Sequence, residues 1–117
     1  MRMQTVVETP ELLRRGKACG VTDHERAAMV DLIAADPTGG DEMPGTGGAR
    51  KLRFARPGQG KRGGYRIITF YSGKDIPVFL LSMFAKNERS DLSQEEKNEL
   101  SKLLKLLAQT YRKRVRN

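Results

Sequence analysis

Residues 49–71 read ARKLRFARPGQGKRGGYRIITFY and predict two β-strands joined by a glycine-rich loop. In the first strand, from about Arg50 to Phe54, neighbouring side chains alternate between the two faces. Lys51 and Arg53 therefore share one face, opposite the apolar residues of the same strand. The second strand runs from about residue 65 to 71 and alternates in the same way.

Cations dominate this stretch, which holds seven lysines or arginines and no aspartate or glutamate. Like charges repel, and Lys51, Arg53 and Arg66 converge if the two strands are neighbours in one sheet. An ordinary solvated face is the default interpretation of a charge run. A bound anion explains this acid-free run better. The seven cations are Arg50, Lys51, Arg53, Arg56, Lys61, Arg62 and Arg66.

Segments on either side complete an α+β pattern. The apolar run IPVFLLSMFA after a turn at 72–75 predicts a central strand, so three successive strands form an antiparallel meander. Before it, a short strand at 3–8 precedes helices at about 10–17 and from Thr22, and 38–48 is a loop. A last helix begins at a Ser93–Glu96 capping box. We therefore expect a small antiparallel sheet packed on two N-terminal helices, with a C-terminal helix and one face exposed.

Length and composition limit the class of protein. The 117 residues, with a formal charge of +8 and a pI near 10.0, predict one domain over residues 1–117. The balance favours polyanions or acidic partners: nucleic acid, the ribosome, an anionic membrane or an acidic protein. A lone Cys19 excludes an intrachain disulfide, and a lone His24 leaves no Cys/His cluster for a metal. No apolar stretch suits a signal peptide or a membrane span, so we expect a cytoplasmic protein without membrane contact.

Glycines in the loop form a G-x-G-x-x-G sequence at Gly58, Gly60 and Gly63. A dinucleotide site needs this motif between a strand and a helix, whereas here a strand follows. We therefore predict no cofactor. The glycines instead allow a tight loop that brings Lys61 and Arg62 close to a backbone phosphate.

Such a face can also do chemistry on RNA, which carries its own nucleophile, the 2′-hydroxyl. Cleavage through a cyclic phosphate needs alignment, stabilisation of the added negative charge, and transfer of two protons. Guanidinium and ammonium groups supply the charge stabilisation, and a crowded lysine with a lowered pKa can transfer a proton. A metal-independent ribonuclease is thus possible without histidine.

Three segments together resemble the HigB-like branch of the RelE toxin superfamily: GTGGARKLRFA, then GKRGGYRIITFY, then PVFLLSMFAKNERSDLS. The resemblance covers roughly residues 45–107. It implies a microbial RNase-like fold and a toxin of a toxin–antitoxin system that cleaves mRNA in the ribosomal A site. It also implies a cognate antitoxin, commonly with a helix-turn-helix domain, through which the complex reaches operator DNA.

Carried over by position, the resemblance implies catalytic roles for four cations. Lys51 and Arg53 match the basic pair that stabilises the transition state, and Arg66 matches the arginine that holds the scissile phosphate. Lys86 matches a further basic position. The RNA-binding residues that we predict beside them are Arg50, Arg56, Lys61, Arg62, Asn87 and Arg89.

The chain departs from prototype RelE enzymes at the proposed general acid and base. Those enzymes carry an arginine and a tyrosine where this chain has Asn87 and Ser93. The A-K-N-E pattern that includes Asn87 is usual for the HigB-like branch. The proton-transfer groups stay open, with Lys61, Arg62 and Lys86 as candidates. Two other functions use the same cations: an RNA- or ribosome-binding protein that does not cut, and a degenerate toxin that acts as a co-repressor with its antitoxin.

Overall fold

The computed structural model describes residues 4–55, 64–85 and 91–116, with side chains as far as Tyr111. Within these ranges the chain forms five strands and three helices, which confirms the predicted α+β class. In chain order they are β1 (Val6–Glu8), α1 (Pro10–Ala18), α2 (Asp23–Ala35), β2 (Asp41–Glu42), β3 (Arg50–Phe54), β4 (Tyr65–Phe70), β5 (Val78–Ala85) and α3 (Gln94–Arg116).

The described strands form one sheet in the order β1-β5-β4-β3-β2. The predicted antiparallel meander of β3, β4 and β5 is confirmed. β1, however, pairs parallel with β5, with Val6 opposite Val78, so the sheet is mixed and not wholly antiparallel. The sequence pattern of β1 could not reveal this pairing, because its partner lies far along the chain and either direction suits the same apolar alternation.

A β-bulge lies in the middle of β5. Ile68 pairs with Ser82 and Thr69 pairs with Leu80, which leaves Leu81 without an opposite residue on β4. Such a bulge places one extra residue in a strand and changes its alternation. Leu81 and Ser82 consequently both belong to the sheet face that carries Ile68.

Each face of the sheet has its own apolar core. On one face, α1 and α2 contribute Leu12, Met29 and Ile33, which are almost fully buried against residues such as Ile67 and Leu80. The opposite face carries a second core, and the residues that form it are Ile68, Phe79, Leu81 and Phe84 of the sheet with Leu104 of α3. The expectation that helices cover one face alone is therefore wrong, because α3 covers part of the second.

Capping residues fix the predicted helix starts. Thr9 accepts a hydrogen bond from the Leu12 N–H and begins α1. Thr22 and Glu25 form the predicted capping box of α2, with both reciprocal bonds at 3.0 Å. At α3, the Ser93 N–H donates to Glu96 at 2.8 Å, and the Glu96 N–H donates to Ser93 Oγ at 3.2 Å. These bonds satisfy N–H groups that a helix start leaves unpaired.

The glycine-rich segment at 38–48 contains the two-residue strand β2, where we predicted only loop. Asp41 pairs with Lys51 and Glu42 with Arg50. Gly40 makes this approach possible: its φ is +85°, and a Cβ there would lie 2.6 Å from the Lys51 carbonyl oxygen. None of the described helices is both long enough and apolar enough to cross a membrane.

Candidate functional site

Strand register brings three of the predicted cations to one face of the sheet. Arg53 of β3 lies directly opposite Arg66 of β4, and Lys51 lies opposite Ile68. Residues that pair directly share a face. Lys51, Arg53 and Arg66, which we call the cationic face, therefore lie together at the end of the sheet surface that α3 leaves uncovered.

The two arginines carry charges that the described residues do not compensate. Arg53 is exposed, Arg66 is half-buried, and neither forms an ion pair within the described ranges. The Arg66 Nε is buried and has no hydrogen-bond partner among the described residues. A buried N–H without a partner is costly, since its desolvation is not repaid. The Arg66 Nε–H is thus available to donate a hydrogen bond to an acceptor on a bound ligand.

Lys51 differs from the two arginines because Asp91 lies beside it. Its Nζ is 3.5 Å from one Asp91 oxygen, while Lys97 of α3 lies 3.4 Å from the other. Partial burial acts to raise the pKa of Asp91, but the Leu92 N–H and the charges of Lys51 and Lys97 outweigh it and hold that pKa below its usual value. The ionised carboxylate therefore links the cationic face to the start of α3.

Asp91 was missed as a partner of Lys51 in the sequence. An acidic side chain commonly forms a salt bridge with a nearby cation. A pair separated by some forty positions, however, produces no local pattern in the sequence. A contact between β3 and the turn before α3 becomes visible only once the sheet face is assembled.

Arg50 is not brought to the cationic face. It pairs with Thr69 and lies on the opposite side of β3 from Lys51 and Arg53. Its guanidinium donates to the backbone oxygens of Thr38 at 3.0 Å and Gly40 at 3.4 Å. These hydrogen bonds indicate a structural role for Arg50, because they attach the glycine-rich segment at 38–48 to the sheet.

Six further predicted site residues lie outside the described ranges: Arg56, Lys61, Arg62, Lys86, Asn87 and Arg89. Their predicted roles stay predictions. Ser93, which the resemblance aligns with the proposed general base of prototype RelE enzymes, is described, and its hydroxyl accepts a hydrogen bond from the Glu96 N–H as the cap of α3. No group of three or more His, Cys, Asp or Glu residues in the described part of the chain is arranged to hold a metal ion.

The arrangement suits a phosphate group. An arginine offers N–H donors in a planar fork that matches two phosphate oxygens, and such charge-assisted bonds are about twice as strong as neutral ones. Two guanidinium groups opposite one another, with an ammonium group two pairs along on the same face, can surround one anion and share its charge. The rigid strands hold these donors in place before the anion arrives.

Comparison with protein families gives a match over most of the chain. Residues 11–117 match the family described as the RelE toxin of the RelE / RelB toxin–antitoxin system. The match extends from Glu11 in the first turn of α1 through α3 and includes all three residues of the cationic face. It covers nearly the whole chain, and the α+β architecture is consistent with it. The protein therefore belongs to the RelE family of toxins from toxin–antitoxin systems.

Proposed function

We propose that this toxin is an endoribonuclease that cleaves mRNA in the ribosomal A site and so inhibits translation. The observation that carries the proposal is the cationic face itself: paired Arg53 and Arg66 with Lys51 beside them, and a buried Arg66 Nε that lacks an acceptor. Membership in a toxin family and the resemblance to its HigB-like branch support the choice of substrate.

The chemistry uses the RNA's own 2′-hydroxyl. Its oxygen attacks the adjacent phosphorus while its proton leaves to a base, and the 5′-oxygen departs with a proton from an acid. The products are a 2′,3′-cyclic phosphate and a new 5′-hydroxyl end. Arg66 holds the scissile phosphate, and Arg53 and Lys51 stabilise the extra charge of the phosphorane. Lys61, Arg62 and Lys86 are the candidates for proton transfer.

The proposal includes the partners of the toxin. A cognate antitoxin binds and neutralises it, and we infer from the resemblance that this antitoxin carries a helix-turn-helix domain. The toxin then reaches operator DNA only through the antitoxin. Cleavage on translating ribosomes would take place in the cytoplasm.

Primer extension on a defined message tests the activity. Ribosomes programmed with the message are exposed to the protein, with the same RNA free in solution as a control. We expect new 5′ ends within A-site codons on ribosomes alone. Arg66→Ala should abolish them without changing the far-UV circular dichroism spectrum, because removing charge stabilisation at a phosphate typically costs about 10²-fold or more in rate.

Arg50→Ala is the matched control, since Arg50 is a cation of the same strand pair on the opposite face. It should cut as the wild type does, provided that it folds. Wild-type cutting by Arg66→Ala, or a loss of cutting in Arg50→Ala equal to that in Arg66→Ala, would refute the assignment of the site.

A second function is favoured by one observation, the use of the Ser93 hydroxyl as a helix cap. If that position supplies no base, the cationic face can bind RNA or the ribosome without cutting. In the same assay this function predicts ribosome binding together with full-length message. Full-length message would therefore replace the nuclease proposal with the binding one.

A further inference from the structure

A groove of about 630 Å³ lies on the α3 side of the sheet, between α3 and the junction of β1 and α1. Its floor is mainly apolar and includes Ile68, Phe79 and Leu81, the last of which the β-bulge turns to this side. Leucines of α3 form one wall. None of the three residues of the cationic face belongs to the described lining.

The described lining of this groove carries a charge opposite to that of the chain. The described lining includes four glutamates and no lysine or arginine, although the chain has 22 basic and 14 acidic residues. The four are Glu8, Glu11, Glu96 and Glu99. A local reversal of charge in a strongly basic protein selects for an approaching cation and against an approaching anion.

The glutamates are compensated to different degrees. Glu11 is paired with Arg14 at 2.8 Å, and the Glu8 carboxylate lies 2.9 Å from the Arg26 Nε, though without hydrogen-bond alignment. Both arginines lie outside the lining. Glu99 is exposed and forms no ion pair with any described residue. Glu99 on the α3 rim thus carries a charge that no described basic residue neutralises.

One lining side chain keeps exposed apolar surface, and another has a polar group without a hydrogen bond to a described residue. Leu103, one of the α3 leucines that form the wall, remains 42% exposed. The hydroxyl of Ser82, on the floor, forms no hydrogen bond with another described residue. An apolar cleft with a few polar groups at defined positions is the usual form of a binding site for a peptide segment or small ligand.

We propose that this groove binds a segment of the cognate antitoxin that presents large apolar side chains flanked by lysine or arginine. The inference rests on membership in a toxin–antitoxin family and not on RNA cleavage. The apolar floor and Leu103 supply the area to be buried, and the glutamates recognise the flanking cations. An acidic antitoxin segment would instead be drawn to the cationic face.

The position of the groove indicates how such binding neutralises the toxin. Ile68 of the floor lies directly opposite Lys51, so the groove ends next to the cationic face without including it. A bound segment therefore leaves Arg53 and Arg66 uncontacted. Neutralisation then comes from the bulk of the antitoxin beside this face, which keeps a large target away from it. That the target is the ribosome rests on the proposed function, whereas the binding itself does not.

Calorimetric titration of the toxin with the full-length antitoxin of the same module tests the assignment. Leu103→Asp should weaken binding by roughly tenfold or more, because it places a charge in the apolar contact. Leu106→Asp is the matched control: Leu106 lies on the same helix, is 61% exposed and is outside the lining. It should bind as the wild type does, and circular dichroism verifies that both variants are folded.

Charge reversal supplies a second, milder pair of variants. Glu99→Lys should weaken antitoxin binding severalfold, and more so at low salt, since it repels the flanking cations. Glu95→Lys, at an exposed acid of the same helix outside the lining, should not. Equal effects of the two reversals would show that net charge alone matters and would overturn the proposal.

The competing occupants give distinct results. Arg66→Ala should keep wild-type affinity for the antitoxin; weakened binding in this variant, with unchanged binding by Leu103→Asp, would move the antitoxin to the cationic face. If the toxin alone forms a dimer that Leu103→Asp dissociates, the groove binds a second copy instead. Both results overturn the proposal, and neither readout depends on whether the toxin cuts RNA.

Discussion

Arg53 and Arg66 lie directly opposite each other in the β3–β4 ladder, and neither forms an ion pair with a described acid. Like charges directly opposite one another destabilise a sheet by up to about 1 kcal/mol. The pair therefore lowers the free energy of unfolding in the absence of a ligand. A requirement of function, and not of folding, therefore explains why both charges are present.

Removing one of these charges should stabilise the fold. We expect Arg53→Gln to raise the free energy of unfolding by about 0.5 kcal/mol at low salt, since it keeps a polar side chain of similar length and removes the repulsion. The gain should shrink at high salt because exposed charges are screened. Urea denaturation at two salt concentrations measures both effects, and cleavage by the same variant should fall.

Lys105→Gln is the control for net charge, because Lys105 is an exposed cation of α3 far along the chain from this pair. It should change the free energy of unfolding by less than Arg53→Gln does. A stability loss in Arg53→Gln would show that the two guanidinium groups are not in conflict and would remove this argument for a functional origin.

The cationic face was largely predictable from the sequence, whereas its counter-ion was not. Simple alternation placed Lys51 and Arg53 together, and the short distance along the chain to the next strand aligned Arg66 with them. Two other features depend on which segments the fold brings close. These are the ion pair of Lys51 with Asp91 and the hydrogen bonds of Arg50 to backbone oxygens. The sequence around a single residue does not show which distant segments will contact it.

At the scale of the element, the start of α3 allows a capping role of Ser93 to be tested separately from a catalytic role. Ser93 and Glu96 satisfy each other's backbone N–H groups. By the resemblance, Ser93 also aligns with the proposed base of prototype RelE enzymes. Ser93→Ala should cost about 1 kcal/mol of stability, the usual value of a helix cap. If capping is its only task, cleavage by the folded variant should stay close to that of the wild type.

Thr22→Ala provides the comparison, because Thr22 caps α2 in the same way and is remote from the cationic face. Both variants should lose similar stability in thermal denaturation, with little change in primer extension. A fall in cleavage of about 10²-fold or more in Ser93→Ala alone would instead identify Ser93 as a proton-transfer group.

Elements with strong local signals were predicted almost to the residue. The two capping boxes fixed the starts of α2 and α3, and β3 begins and ends where the alternation does. β2 escaped prediction because Asp41 and Glu42 have low strand propensity and are held there by Gly40 and by pairing with β3. The cover that α3 gives to the second sheet face also follows from long-range packing, which the leucine pattern of one helix does not specify.

The whole molecule separates its charges over one side of the sheet, with cations at one end and an acid-lined groove at the other. This separation predicts how RNA binding responds to salt. Each phosphate contact with a single strand releases counterions and contributes about −0.7 to the slope of log affinity against log salt. Arg53→Ala should therefore reduce the steepness of that slope by about 0.7 if Arg53 contacts a phosphate.

Arg50→Ala distinguishes the cationic face from the general charge of the chain. Both variants lose one positive charge from the same strand, but Arg50 already donates to two backbone oxygens on the opposite side. Fluorescence anisotropy with a short single-stranded RNA over a range of salt concentrations should show an unchanged slope for Arg50→Ala. An equal reduction in both variants would mean that the RNA contacts both sides of β3, and the site would then have to extend around the edge of the sheet towards β2.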